Sequence, residues 1–271
     1  MKNLICLILA IIIILPLSSC GKTEGERLTN VFSAEEITLP DGFTPDRLCK
    51  TSAGYALTQS DRTEPMTRIV KLEKSGSKYE VVSDSTIGEY AERTVFLPGG
   101  DIVYVSGDSL CRRGEKEITI ALSELTGRES VMSAAADSEG RLVFATQSSV
   151  IVTDDEFNKL FSPELNGSPN GVYSSSDGRV YVCTNSKNTG IVYQTIDMEA
   201  KRLGDVIITP TGYDVSAMNF NGGNSGRLWL SSQTGLYAVD SGSSLLLCDF
   251  LNSDLIAMRI SVIIPEDDDH M

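Results

Sequence analysis

The stretch "SSSDGRVYVCTN", Ser174 to Asn185, decides the fold. A polar turn built on Asp177 and Gly178 gives way to Val180, Tyr181, Val182 and Cys183, a run rich in the β-branched and aromatic residues that favour strands. Glycine at such a turn reaches positive φ without steric cost, so two strands can reverse tightly there. Relatives of the stretch stand at "SAGYALTQ" (Gly54), "PGGDIVYVS" (Gly100), "SEGRLVFATQ" (Gly140) and "NSGRLWLSS" (Gly226). From Gly54 through Gly178 to Gly226 the intervals are 46, 40, 38 and 48 residues. Repeats of that length made of strands alone predict an all-β propeller of about five four-stranded blades.

The fourth repeat spells out one blade: "GVYSSSD" innermost, then "RVYVCTN", "GIVYQTID" and, outermost, "RLGDVIITP". The third repeat follows with "SVMSAAAD", "RLVFATQ", "SVIVTDD" and "NKLFSPE", and the fifth with "VSAMNFN", "RLWLSS", "GLYAVD" and "SLLLCDF". Small residues crowd the first strands (Ser133 to Ala136, Ser174 to Ser176), as convergence on a narrow axis demands. One blade cannot bury both of its faces, so repetition lets neighbouring sheets cover each other. Trp229, on a second strand, reads as blade core. Helical signals are weak, the best being "SAEEI" near Ser33 as a single capped turn.

A sixth repeat opens at "MRISVIIPEDDD" and supplies only an inner strand. The ring is therefore expected either to close on five blades or to stay gapped, with an apolar patch beside the fifth. "EEITLPDG", Glu35 to Gly42, is the segment expected to supply a closing outer strand.

Of 271 residues, 41% are hydrophobic and 22% charged, enough for a full core. The net charge of −14, without a Lys/Arg cluster to displace phosphate counterions, excludes nucleic acid as a partner. At the N-terminus Lys2 precedes the 14-residue apolar run "LICLILAIIIILPL" (Leu4 to Leu17), short for a membrane span and suited to an export signal. The run ends in "LSSC", Leu17 to Cys20, which resembles the lipobox of bacterial lipoproteins. That resemblance implies acylation of Cys20 and anchoring on the extracytoplasmic face of the cell membrane, stable where more than one chain is attached. The expected organisation is a signal over 1–19, a lipidated tether over 20–36, the propeller over 37–264 and an acidic tail over 265–271.

With Cys6 in the signal and Cys20 taken by lipid, Cys49, Cys111, Cys183 and Cys248 remain, without any CxxC spacing for zinc or redox work. Cys183 and Cys248 read as small buried hydrophobes. The single histidine, His270, lies next to the end, and no HExxH, P-loop or GxGxxG occurs, so neither a metal nor a cofactor is expected. "EDDDH" (Glu266 to His270) lacks the glycine-turned geometry of a calcium loop and reads as a solvated tail, and "NFNGGNSG" (Asn219 to Gly226) as a long hairpin.

A propeller binds ligands on the face where loops lead into inner strands and join second strands to third. The first loop set places Tyr90, Glu92, Arg128, Glu129, Asn170, Tyr213 and Asp214 there. The second adds Asp61, Arg62, Gln147, Asn185, Lys187, Asn188 and Gln233. These amides, carboxylates, guanidiniums and phenols suit hydrogen bonding to a glycan or a peptide.

The repeat is similar to WD40-like, YVTN-like and NHL-like propellers, a resemblance of fold and not of function. "GLYAVDSGSSLLLCDFLNSDLIAM", Gly235 to Met258, together with the lipobox, resembles the propeller-like N-terminal region of certain lipoproteins of sugar ABC transporters. Those continue into a solute-binding domain that this sequence lacks. The resemblance implies a non-enzymatic surface lipoprotein linked to carbohydrate uptake. Two alternatives stand beside it: a propeller lyase or hydrolase acting on glycans, which needs two converging acids, and a scaffold or remnant without activity of its own.

Overall fold

In the computed structural model the described residues are 8–9, 35–76, 78–174, 178–186, 190–208, 220–222, 228–231, 235–240 and 243–249. They form a β-propeller of five sheets, each with four antiparallel strands in simple chain order. The first blade contains Arg47–Lys50, Gly54–Asp61, Met66–Ser75 and Lys78–Ile87. The second contains Glu92–Phe96, Ile102–Ser106, Ser109–Arg113 and Ile118–Ala121. The third contains Ser133–Ala136, Leu142–Ala145, Val150–Thr153 and Lys159–Phe161. The fourth contains Pro169–Ser174, Val180–Ser186, Gly190–Asp197 and Arg202–Ile208. The fifth contains Phe220–Gly222, Leu228–Ser231, Gly235–Asp240 and Ser243–Asp249.

Alternation along each strand divides a blade between its two neighbours. In the third blade Leu142 and Phe144 join a cluster with Val103, Val105 and Leu110 of the second, while Val143 and Ala145 join Val172, Val180 and Val182 of the fourth. The first blade meets the second through Ala56, Ile69, Phe96, Ile102 and Tyr104. Every one of these interfaces buries β-branched, aliphatic or aromatic side chains, each contributing roughly 1.5–3 kcal/mol when fully enclosed.

Inner strands pack edge to edge in series from the first blade to the fifth, and among the described residues no comparable contact joins the fifth to the first. Their side chains stitch neighbouring backbones. The Cys49 thiol points at the Thr94 carbonyl (3.6 Å), Arg93 Nε donates to the Val131 carbonyl (3.3 Å), and Ser133 Oγ donates to the Val172 carbonyl (3.0 Å). Ser133 Oγ also accepts from Val172 N–H, and Ser174 Oγ serves Ala136 in the same two ways. The small polar residues of the inner strands thus satisfy backbone edges that no sheet partner reaches.

Gly100, Gly140 and Gly178 turn their blades at φ of 92°, 83° and 83°, as the repeat requires. Gly54 does not; a Cβ there would lie 2.2 Å from the Leu72 carbonyl oxygen, so close approach demands glycine instead. One short helix, Leu122–Thr126, interrupts the strands and ends at Gly127 with φ 70°. Buried Leu125 anchors it to the core between the second and third blades. Its sequence, "LSELTG", is too short to show a helical period.

The expectation that Glu35 to Gly42 adds a closing outer strand is not met among the described residues. Glu35–Glu36 pair with Ile8–Leu9. Beyond them Ile37, Leu39 and Phe43 pack on Tyr55, Leu57, Val70 and Leu72, the face of the first blade turned away from the second. Arg68 clamps this strap, its guanidinium lying 5.5 Å from the Phe43 ring and donating to the Asp41 carbonyl at 3.2 Å. Apolar side chains at alternate positions suit a covering strap as well as a strand, which is why the pattern misleads. The segment beside the fifth blade, the tail and Cys20 lie outside the described residues.

Candidate functional site

Among the described residues, loops between successive blades and loops joining second strands to third emerge at one end of the propeller. Arg62 follows the second strand of the first blade; Tyr90 and Glu92 lead into the second blade. Arg62 Nε donates to Tyr90 Oη at 2.8 Å and Nη2 to Glu92 Oε1 at 2.6 Å, with the guanidinium 5.1 Å from the centre of the Tyr90 ring. Hydrogen bonds to Tyr90 and then Glu92 push the guanidinium pKa up. Burial alone would raise the Glu92 pKa, but hydrogen bonds from Arg62 and Tyr90 outweigh it and hold the carboxyl below its ordinary value.

Glu129 leads into the third blade and accepts from Ser148 N–H at 3.2 Å and from the Ser148 hydroxyl, in that blade's own second-to-third loop. Those hydroxyl bonds, with Thr146 adding to them, lower its pKa. Arg128 and Gln147 are exposed beside it. Asn170 hydrogen-bonds the buried Cys183 thiol, whose pKa burial pushes up to about 12. Asn185 lies in the second strand of the fourth blade opposite Ile191. Asp61 is a turn builder, its Oδ1 accepting from Thr63 N–H and Oγ1. Tyr213, Asp214, Lys187, Asn188 and Gln233 lie outside the described residues. The structure therefore brings Tyr90, Glu92 and Arg62 into one cluster and seats Glu129 one blade further on.

The opposite end has a different character. Asp137 Oδ1 accepts from Glu139 N–H and Arg141 N–H, Asp154 Oδ1 from Glu156 and Asn158, and Asp197 Oδ1 from Glu199 and Ala200. Buried Arg112 joins Asp101 (2.7 Å) to Asp155 of the next blade (2.6 Å), and Asp101 also takes Glu115 N–H. These carboxylates are spent on turns and blade contacts. Between the first two blades, Glu89 receives Arg113 at 3.0 Å near the buried Cys111 thiol. Cys49, Cys111 and Cys183 are free thiols, and burial raises the pKa of each. Among the described residues no cluster of three or more metal-ligating side chains occurs.

Sequence reasoning missed Arg93, on the second inner strand. Nothing in the composition around "ERT" marks it.

Comparison with solved structures supports the architecture. A hydrazine synthase from Kuenenia stuttgartiensis superposes at TM-score 0.53 with 13% identity, over 78% of this chain and 70% of that one. The Dos1 propeller superposes at 0.52 with 10% identity, over 85% of this chain and 63% of that one. A Bacteroides caccae protein of unknown function gives 0.50 with 12% identity, over 84% and 88%. Likeness at such identity is one of fold alone. No family model and no curated protein matches the chain.

Proposed function

We propose that this chain is a lipid-anchored, extracytoplasmic propeller that binds an oligosaccharide without chemically altering it, in the service of carbohydrate uptake. The observation that supports this most is the Arg62–Tyr90–Glu92 cluster on the loop face. Mutual hydrogen bonds fix the three groups before any ligand arrives, so little side-chain entropy is lost on binding. A half-buried phenol ring flanked by charged donors and acceptors suits a sugar, which presents an apolar ring face and hydroxyls at its rim. Glu92 and Glu129 are both held below the ordinary carboxyl range, hence ionised at neutral pH. Such groups accept hydrogen bonds; a general acid for glycoside cleavage needs the opposite shift.

The test is calorimetric titration of the full chain in detergent against a panel of neutral and acidic oligosaccharides, with product analysis of each mixture. Binding without cleavage is expected, weakened at least about tenfold (1.4 kcal/mol) by Arg62→Ala. Release of new reducing ends would show an enzyme instead, and no binding across the panel would overturn the saccharide reading. The anchor is tested separately: Cys20→Ser is expected to abolish acyl labelling and release the protein from membranes.

A further inference from the structure

The inner strand of the second blade carries the most strained backbone on the loop face. Its register against Ile102–Ser106 shifts between Glu92 and Val95, and within this bulge Arg93 adopts φ 52°. A left-handed conformation is unfavourable for any residue with a Cβ, and bulges beside binding sites re-aim a side chain. Here the gain is reach. Arg93 Nε donates to the Val131 carbonyl on the approach to the third inner strand, and its charge acts on the Glu92 carboxylate. The guanidinium thus lies between two inner strands at the end where the Arg62 cluster stands.

Arg62, Arg68, Arg112, Arg113 and Arg141 each hold a carboxylate. Arg93 holds only a carbonyl, through Nε, and neither Nη has a partner among the described residues. Locally two guanidiniums face one carboxylate, and Glu92 is already committed to Arg62. In a chain of net charge −14, Arg93 and the exposed Arg128 are thus guanidiniums of this face without a carboxylate partner among the described residues, and of the two Arg93 is the one held in place, by the Val131 carbonyl.

We infer that Arg93 is an anion-binding residue and that the ligand of this face is a uronate-bearing oligosaccharide, its carboxylate bridged by the two Nη groups of Arg93. The inference rests on the saccharide reading above. A planar guanidinium with both terminal nitrogens available matches a carboxylate in the two-point geometry that a single ammonium cannot offer.

The experiment titrates the full chain in detergent, at low salt, with oligogalacturonate and with its methyl ester, in which each carboxylate is replaced by a neutral ester. The wild type is expected to bind the acid at least about tenfold more tightly than the ester. Arg93→Gln should erase that preference and keep the weaker affinity for the ester, whereas Arg62→Ala should weaken both. Arg93→Gly should also erase the preference, with relief of the left-handed strain offsetting part of the stability lost with the bond to the Val131 carbonyl. Equal wild-type affinity for acid and ester would overturn the inference and leave the saccharide reading standing; binding of neither would overturn both. An Arg93→Gln protein that melts lower but keeps the acid preference would show a strand clip only, and would overturn it as well.

Discussion

Ser133 and Ser174 join the inner strands of the third and fourth blades, and the cost of removing them follows from what each hydroxyl does. Ser133 Oγ donates to the Val172 carbonyl at 3.0 Å and accepts Val172 N–H at 3.3 Å. Val172 is only 2% exposed, so after Ser133→Ala neither of its backbone groups is readily reached by water. A net hydrogen bond is worth about 1 kcal/mol, and a stranded buried group costs about 1–3 kcal/mol. Two modest bonds at a buried partner therefore predict a loss of about 2 kcal/mol. Ser174 Oγ serves Ala136 in the same way, and Ala136 is 7% exposed, so water reaches its backbone only slightly better and Ser174→Ala should cost a little less. In a chain of this size 1 kcal/mol moves the melting temperature by roughly 2–4 °C. Thermal melts of the full chain should accordingly fall by about 4–8 °C for Ser133→Ala and less for Ser174→Ala, with Ser85→Ala, on an exposed outer strand, as the neutral control. Because both residues bridge the same two strands, the double variant should lose less than the sum. A Ser133→Ala protein that melts with the wild type would refute the stitching argument.

Arg112→Met should destabilise the protein by about 3 kcal/mol at pH 7, since it strands the buried Asp101 carboxylate, with two remaining backbone donors keeping the loss at the low end for a broken buried pair. The folded-state pKa values of Asp101 and Asp155 are depressed, so their stabilisation is full above the unfolded value near 4 and is lost as pH falls through the folded values; urea melts from pH 7 to 3 should show the mutant's deficit narrowing on acidification. Cys49, whose thiol is pushed up to about 12, should resist alkylation in the native protein at pH 8 and react on unfolding, read by mass spectrometry of its peptide.

The blades were legible because the period-two pattern and the glycine turns are local. "RLVFATQ" needs only its own alternation to face two ways, and Leu142 with Phe144 goes one way while Val143 with Ala145 goes the other. Tyr90, Glu92 and Arg62 were legible as loop-face residues because blade order fixes which loops share an end. Their pairing was not, since Arg62 and Glu92 meet across 30 residues. The strap was misread because Ile37, Leu39 and Phe43 carry the apolar content of a strand and nothing local says which surface they cover. Arg93 was invisible because a left-handed residue in a bulge leaves no compositional mark unless it is glycine.

The acidic charge looks uniform in the sequence and is put to different uses in the fold. At one end of the propeller Asp137, Asp154 and Asp197 accept backbone N–H groups two to four residues ahead, the short side chain reaching its own turn as glutamate cannot. A carboxylate so used has little left to offer a ligand. At the other end Glu92 is held by the Arg62 side chain and Glu129 by the hydroxyl and N–H of Ser148, so neither builds the turn in which it lies. Those three aspartates are therefore part of the architecture, and on the reading proposed above the two glutamates belong to the binding surface. This difference supports the proposal that recognition occurs at the end where the glutamates pair with side chains, leaving the turn-building aspartates out of it.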